Sequence, residues 1–115
     1  MSDCLFCRIV EREIPSTVVA ESEDLLAFRD IDPKAPTHVL VIPKAHYANA
    51  VELATADPAL AGNLLAMAGQ IAEAEGVAAD GYRLLFNTGK NGGQEVFHVH
   101  LHLFGGRPLG PMLAG

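Results

Sequence analysis

The chain is 115 residues long and half hydrophobic, which supplies one ordinary core and no second, so residues 1–115 are expected to form a single domain. Its formal net charge of −6, with eight scattered Lys and Arg, excludes the basic stripe that grips a nucleic-acid backbone. No run approaches the roughly 20 apolar residues of a membrane helix, and the N-terminus lacks a basic region followed by an apolar stretch, so a cytoplasmic protein with Cys4 and Cys7 reduced is expected.

Cys4 to Glu13 reads as a short helix, with Leu5, Phe6, Ile9 and Val10 apolar, ended by Ile14-Pro15-Ser16. Val18–Glu21 and Leu25–Asp30 read as strands, and two prolines punctuate the loop at 32–36. His38–Ile42, β-branched and apolar, is a third strand. Asp57-Pro58 has the form of an N-cap followed by proline at the first helical position. Leu60, Leu64, Met67, Ala68 and Ile71 then recur at helical spacing up to Gly76, which marks the main helix. Leu65, Ala61 and Ala72 widen its apolar stripe, as in a helix shared between a sheet and a partner. Tyr82–Asn87 is a fourth strand, 88–94 a glycine-containing loop, and Val96–Phe104 a fifth strand. Strands outnumber helices and βαβ alternation is weak. The expected fold class is therefore α+β: a mostly antiparallel five-stranded sheet with one main helix and a short N-terminal helix.

Three of the five histidines fall in His98-Val99-His100-Leu101-His102-Leu103-Phe104. On a strand, alternate side chains share a face, so His98, His100 and His102 line one side and Val99, Leu101 and Leu103 face the core. One reading of such a row is a metal site. At about 3.3 Å per residue, however, the outer pair lies roughly 13 Å apart, and zinc–nitrogen bonds are near 2.1 Å, so three collinear imidazoles do not converge on one ion. A central imidazole flanked by two others suits covalent chemistry better: the centre attacks while its neighbours orient it and the phosphate oxygens. The bland alternative is a half-exposed strand with a polar outer face.

This segment matches the histidine-triad pattern, and the chain resembles the histidine triad (HIT) superfamily over nearly its full length. Phe6-Cys7-Arg8-Ile9-Val10 with Glu13-Ile14-Pro15 is similar to the family's opening helix. Phe28-Arg29-Asp30-Ile31, and Ala35-Pro36-Thr37-His38 through Ile42-Pro43-Lys44, resemble its nucleoside-binding strands. Gly92-Gly93-Gln94 before the triad and Gly105-Gly106-Arg107 after it resemble the Hint branch. The resemblance implies cleavage of the phosphorus–nitrogen bond of a purine nucleoside phosphoramidate. His100 would attack the α-phosphorus, a nucleotidyl-histidine would form, and water would hydrolyse it. A neutral imidazole, with an ordinary pKa of about 6.5, is a competent nucleophile at neutral pH, and a nearby histidine can protonate the leaving amine.

By the same resemblance His38 supports the triad through a hydrogen bond to His102. Asp30 accepts the ribose hydroxyls, or else caps the following turn. Phe6, Ile9, Phe28 and Ile31 read as an apolar purine slot or else as ordinary core, and the resemblance favours the slot for Ile31 and Phe6 more than for Ile9 and Phe28. Asn87 bonds a phosphate or ribose oxygen, or else is a turn residue. Gly92, Gly93 and Gln94 present backbone N–H groups to phosphate, or else form a plain hairpin connection. Glu95 and Val96 complete the substrate-binding set. Glu95 stands where some relatives carry Ser or Thr, and as a carboxylate it would favour a cationic leaving group.

No cofactor is expected for the chemistry itself. The C-x-x-C pair Cys4 and Cys7, with His46 and His98, has the Cys2His2 composition of a closed structural zinc site. Some bacterial relatives bind zinc with matching residues and others lack the cysteines. A redox pair or two small buried residues are the other readings. The partners implied are a purine nucleoside monophosphate or phosphoramidate and a second copy of the chain, with no nucleic acid and no membrane. Two alternative functions stay open: a nucleotide-binding regulatory protein with vestigial catalysis, and a hydrolase of dinucleoside polyphosphates.

Overall fold

In the computed structural model, which describes residues 3–113, one five-stranded sheet organises the chain. Its strands are β1 (Val18–Glu21), β2 (Leu25–Arg29), β3 (Thr37–Pro43), β4 (Tyr82–Leu85) and β5 (Leu101–Gly105), in spatial order β1-β2-β3-β5-β4. Every pairing is antiparallel. Three helices accompany it: α1 (Leu5–Val10), α2 (Ala50–Ala56) and α3 (Pro58–Ala74). The architecture is α+β, as expected, with one helix more than the sequence reading placed.

Each helix is closed by local chemistry. Cys4 caps α1, its Sγ accepting from Cys7 N–H at 3.4 Å, and Arg12 turns the chain out with φ 64°. Asn49 caps α2 by accepting from Glu52 N–H at 2.9 Å. Asp57 caps α3 by accepting from Leu60 N–H at 3.0 Å, with Pro58 occupying the first turn. Gly76, at φ 74°, ends α3 and lets Val77 N–H return to Ala72 C=O at 3.0 Å.

The sheet is covered on both faces. Leu25, Ala27, Val39, Val41, Leu101 and Leu103 pack against Leu60, Leu64, Ala68, Ile71 and Ala72 of α3, with Val99 joining them. Ala72 is wholly buried there, so it belongs to the sheet-facing stripe and not to a partner face. On the opposite face Leu26, Phe28, Leu40 and Ile42 meet Phe6 and Ile9 of α1. Strand β3 is therefore buried from end to end. The even-numbered residues His38, His102 and Phe104 project to the α1 face, in register as His38↔Phe104 and Leu40↔His102.

The fifth strand is shorter than expected. Residues 96–100 are not strand, and β5 starts only at Leu101. The last β3–β5 pair is Val41↔Leu101. Beyond it the chain meets Pro43, which has no N–H to extend the ladder. Val99 N–H turns instead to Tyr47 C=O at 2.7 Å. The triad thus straddles a strand start, with His102 on β5 and His98 and His100 on the irregular approach to it.

Candidate active site

A cleft of about 810 Å³ opens on the α1 face, lined among others by Phe6, Ile9, Phe28, Asp30, His38, His100 and His102. His100 and His102 lie with ring centroids 4.9 Å apart. Phe6 meets His100 edge-on, at 4.9 Å and 89°, and Phe104 stacks parallel to His102 at 5.5 Å.

Hydrogen bonds assign the tautomers. His100 Nδ1 lies 2.8 Å from the carbonyl oxygen of His98. A carbonyl only accepts, so Nδ1 carries the proton and Nε2 keeps a lone pair. His38 Nδ1 accepts from Lys34 N–H at 3.1 Å, which puts the His38 proton on Nε2. That proton is donated to His102 Nδ1 at 2.9 Å, with Asp30 Oδ2 at 3.4 Å beside it. His102 is then left with its proton on Nε2, a buried atom without a hydrogen-bond partner among the described residues. The backbone behind this relay is held by Arg107, which donates to Lys34 C=O at 2.9 Å and to Pro108 C=O at 2.9 Å.

Burial keeps these rings neutral. It pushes His100 and His98 below the ordinary imidazole range, against the opposing pull of their backbone hydrogen bonds to His98 and Pro43 carbonyls. Burial also lowers His38, opposed by the Asp30 carboxylate. His102 falls furthest, to about 4, because burial is reinforced by the neighbouring His100 and His38.

The other expected site residues divide. Ile31 is fully exposed at the cleft margin, while Phe6 and Ile9 are buried in its wall. Asn87, Gly93, Glu95 and Val96 line the cleft as well. Asp30 does cap the turn, its Oδ1 accepting from Asp32 N–H at 2.8 Å, yet its other oxygen stays toward His38. The glycine loop departs from expectation. Gly93 N–H is committed to Lys90 C=O at 3.1 Å and Gln94 N–H to Gly89 C=O at 3.0 Å, so neither amide is offered to an anion. Gln94 does not line the cleft. Its buried side chain braces the loop, accepting from Gly89 N–H at 2.9 Å and donating to Ala48 C=O at 2.7 Å and Val96 C=O at 3.1 Å. Ser16, Thr17 and Lys34 line the cleft too; they carry no sequence signal apart from proximity to motif residues.

A second cluster sits behind the first. Cys4, Cys7, His46 and His98 bring one donor atom each to within 4.8 Å of one another. His98 Nδ1 lies 3.5 Å from Cys4 Sγ, 3.5 Å from Cys7 Sγ and 3.2 Å from His46 Nδ1, and Cys7 Sγ lies 3.3 Å from His46 Nδ1. His98 Nε2–H donates to Pro43 C=O at 2.8 Å, which turns the Nδ1 lone pair toward the cluster. So His98 gives its ring to the cysteines and only its carbonyl to His100.

The chain matches the HIT domain family model over residues 11–109. It is 49% identical over 112 residues to the purine nucleoside phosphoramidase of Escherichia coli, covering 97% of this chain and 94% of that protein. It is 48% identical to the 14 kDa zinc-binding protein of Zea mays, covering 94% of this chain and 85% of that one. A HIT family hydrolase from Legionella pneumophila superposes with a TM-score of 0.90 at 53% identity, over 94% of this chain and 96% of the other.

Proposed function

The chain belongs to the HIT domain family, and on that premise we propose that it is a purine nucleoside phosphoramidase with His100 as its nucleophile, working in the cytoplasm as a single domain per chain. The observation that carries this reading is the 2.8 Å bond from His100 Nδ1–H to the His98 carbonyl, which reserves the Nε2 lone pair for attack. The relative named a purine nucleoside phosphoramidase, at 49% identity, supports the substrate class.

In the proposed reaction the nucleoside lies along Phe6, Ile9, Phe28 and Ile31, with Asp30 on the ribose and Asn87 on an adjacent oxygen. His100 Nε2 bonds to the α-phosphorus as the phosphorus–nitrogen bond breaks, and the departing amine takes up a proton from solvent, which the later attack of water returns. The ring gains positive charge at that moment, which strengthens its Nδ1–H···O=C bond. His102 donates Nε2–H to a phosphoryl oxygen, so that buried donor finds its partner in the substrate. Water then attacks the nucleotidyl-histidine, releasing the nucleotide and restoring Nε2. The test is turnover of a fluorogenic adenosine phosphoramidate by wild type and by His100→Ala. Activity should fall by orders of magnitude while nucleotide binding remains; a folded mutant of near-wild-type activity would refute the mechanism.

Cys4, Cys7, His46 and His98 would hold a structural zinc ion. Ideal tetrahedral zinc with these bond lengths separates its ligand atoms by about 3.4–3.8 Å, and the four separations above, 3.2–3.5 Å, match within a few tenths. Two thiolates and two imidazoles complete the coordination, so the ion would contribute folding free energy and no open position for substrate. The zinc-binding name of the Zea mays relative supports this reading. A homodimer is proposed as well, supported by Leu65 on α3, Val51 on α2, and Tyr82 and Phe97, which are 47%, 70%, 38% and 55% exposed.

A further inference from the structure

The charges around the cleft are not evenly matched. Arg29 lies in the cleft wall, but its guanidinium is engaged twice by Glu75, at 2.7 and 3.0 Å. Lys34 is engaged by Asp32 at 2.6 Å. Asp30 is tied to its own turn and to His38. Among the described residues Glu95 lines the cleft with no ion-pair partner. It is close enough to Lys34 and His100 for its charge to raise the proton affinity of both.

Position gives that carboxylate a specific audience. The nucleoside-side residues come from α1 and the end of β2. Glu95 and Gly93 come from the 86–96 connection, which follows β4, a strand separated from β2 by β3 and β5 in the sheet order. With His100 on the phosphorus and the nucleoside toward β2, a leaving group extending the opposite way would come to face Glu95. A negative charge there repels a leaving group that is itself anionic and attracts a cationic one.

We propose that Glu95 is a specificity-determining residue that selects phosphoramidates whose departing amine carries a second, positively charged group, and that disfavours anionic leaving groups. The inference rests on the phosphoramidase reading and names the leaving-group class for that same site. Its effect is moderate because Glu95 is exposed. Opposite unit charges a few ångströms apart in water-like surroundings change a rate by about threefold to tenfold, and salt weakens the preference.

The experiment compares adenosine 5′-phosphoramidates of ethylenediamine, propylamine and glycine: cationic, neutral and anionic amines of similar size. The readout is the ratio of kcat/KM values within each protein, whatever happens to any one rate. Wild type should prefer the cationic over the neutral amide by about threefold to tenfold at 0.05 M salt, and less at 0.5 M. In Glu95→Gln the ratio should approach one, and in Glu95→Lys the glycine amide should move ahead. An unchanged ratio in Glu95→Gln overturns the proposal. A binding arm separates this from the broader function. Calorimetry on His100→Ala protein, using phosphonate analogues with the same three arms, reads the same charge preference without chemistry. A preference that follows Glu95 in binding, with no turnover by wild type, would remove the phosphoramidase reading and leave the role of Glu95 standing. Absence of any preference in binding or turnover removes the role of Glu95 alone.

Discussion

His38→Leu separates packing from chemistry most cleanly. The wild-type ring is 4% exposed and makes two hydrogen bonds, from Lys34 N–H at 3.1 Å and to His102 Nδ1 at 2.9 Å. Leucine fills much of the space and makes neither. Each buried group left without a partner costs about 1–3 kcal/mol. Water can reach the exposed Lys34 backbone, so the total should fall near 2–3 kcal/mol. That corresponds to a drop in Tm of roughly 8–12 °C for a domain of this size. The catalytic consequence is separate. Without the His38 donor, His102 is no longer obliged to keep its proton on Nε2, and the phosphoryl-facing donor is lost for part of the population. Loss of one such donor costs about a hundredfold in kcat at the low end of the usual range, so a fall of about tenfold to a hundredfold is expected, with KM little changed. Differential scanning calorimetry, steady-state turnover and 15N-resolved imidazole spectra of His102 report the three effects. His38→Gln, which can accept and donate through one side chain, should recover part of the rate. A variant that melts early but keeps full kcat and the Nε2–H tautomer would refute the relay.

Four further outcomes follow from the geometry. Asp30→Ala should weaken AMP binding by about 1.5–3 kcal/mol and weaken a dideoxy-ribose analogue much less; equal losses, read by calorimetry, would assign Asp30 to the turn alone. The His102 pKa is about 4 in the fold against about 6.5 unfolded, so the unfolded chain binds more protons between those values. The stability contributed by neutral His102 is therefore full above pH 6.5 and lost as pH falls toward 4, on the order of 2 kcal/mol for this partly exposed ring; His102→Gln should flatten denaturant midpoints over that window. Cys4→Ser with Cys7→Ser should abolish stoichiometric zinc by elemental analysis and lower Tm, while low-temperature turnover survives; turnover lost in proportion to zinc would make the ion catalytic. Light scattering at tens of micromolar should give twice the chain mass, and Leu65→Glu with Phe97→Glu should halve it; a wild-type monomer mass rejects the dimer.

Much of this site is legible from single residue types because its chemistry is local. The alternation from Val99 to Leu103 places the core residues correctly, and His38 is found bonded to His102 as the resemblance implied. What alternation could not reveal is where the sheet stops. That depends on Pro43, a residue 58 positions before Leu101 in the chain and opposite its approach in space. Helix α2 was missed although Asn49 and Glu52 stand in a capping relation, because Asp57-Pro58 is the stronger start signal. The resemblance assigns the Gly93 and Gln94 amides to phosphate, with a plain hairpin connection as the other reading. Composition cannot say whether the amides of a loop are already spent on one another, and here those two are.

His98 gives its ring and its main chain to different neighbours, and the two loyalties carry different evolutionary freedom. The imidazole answers to Cys4, Cys7 and His46, whereas His100 needs only a peptide oxygen, which any amino acid at position 98 supplies if the backbone keeps its course. Within the triad motif, then, the first histidine is the one whose identity natural drift can exchange together with the cysteines. A lineage that dropped Cys4 and Cys7 would release the side chain at 98 from selection on metal affinity while leaving the peptide path under selection, so substitutions should accumulate at 98 sooner than at 100 or 102.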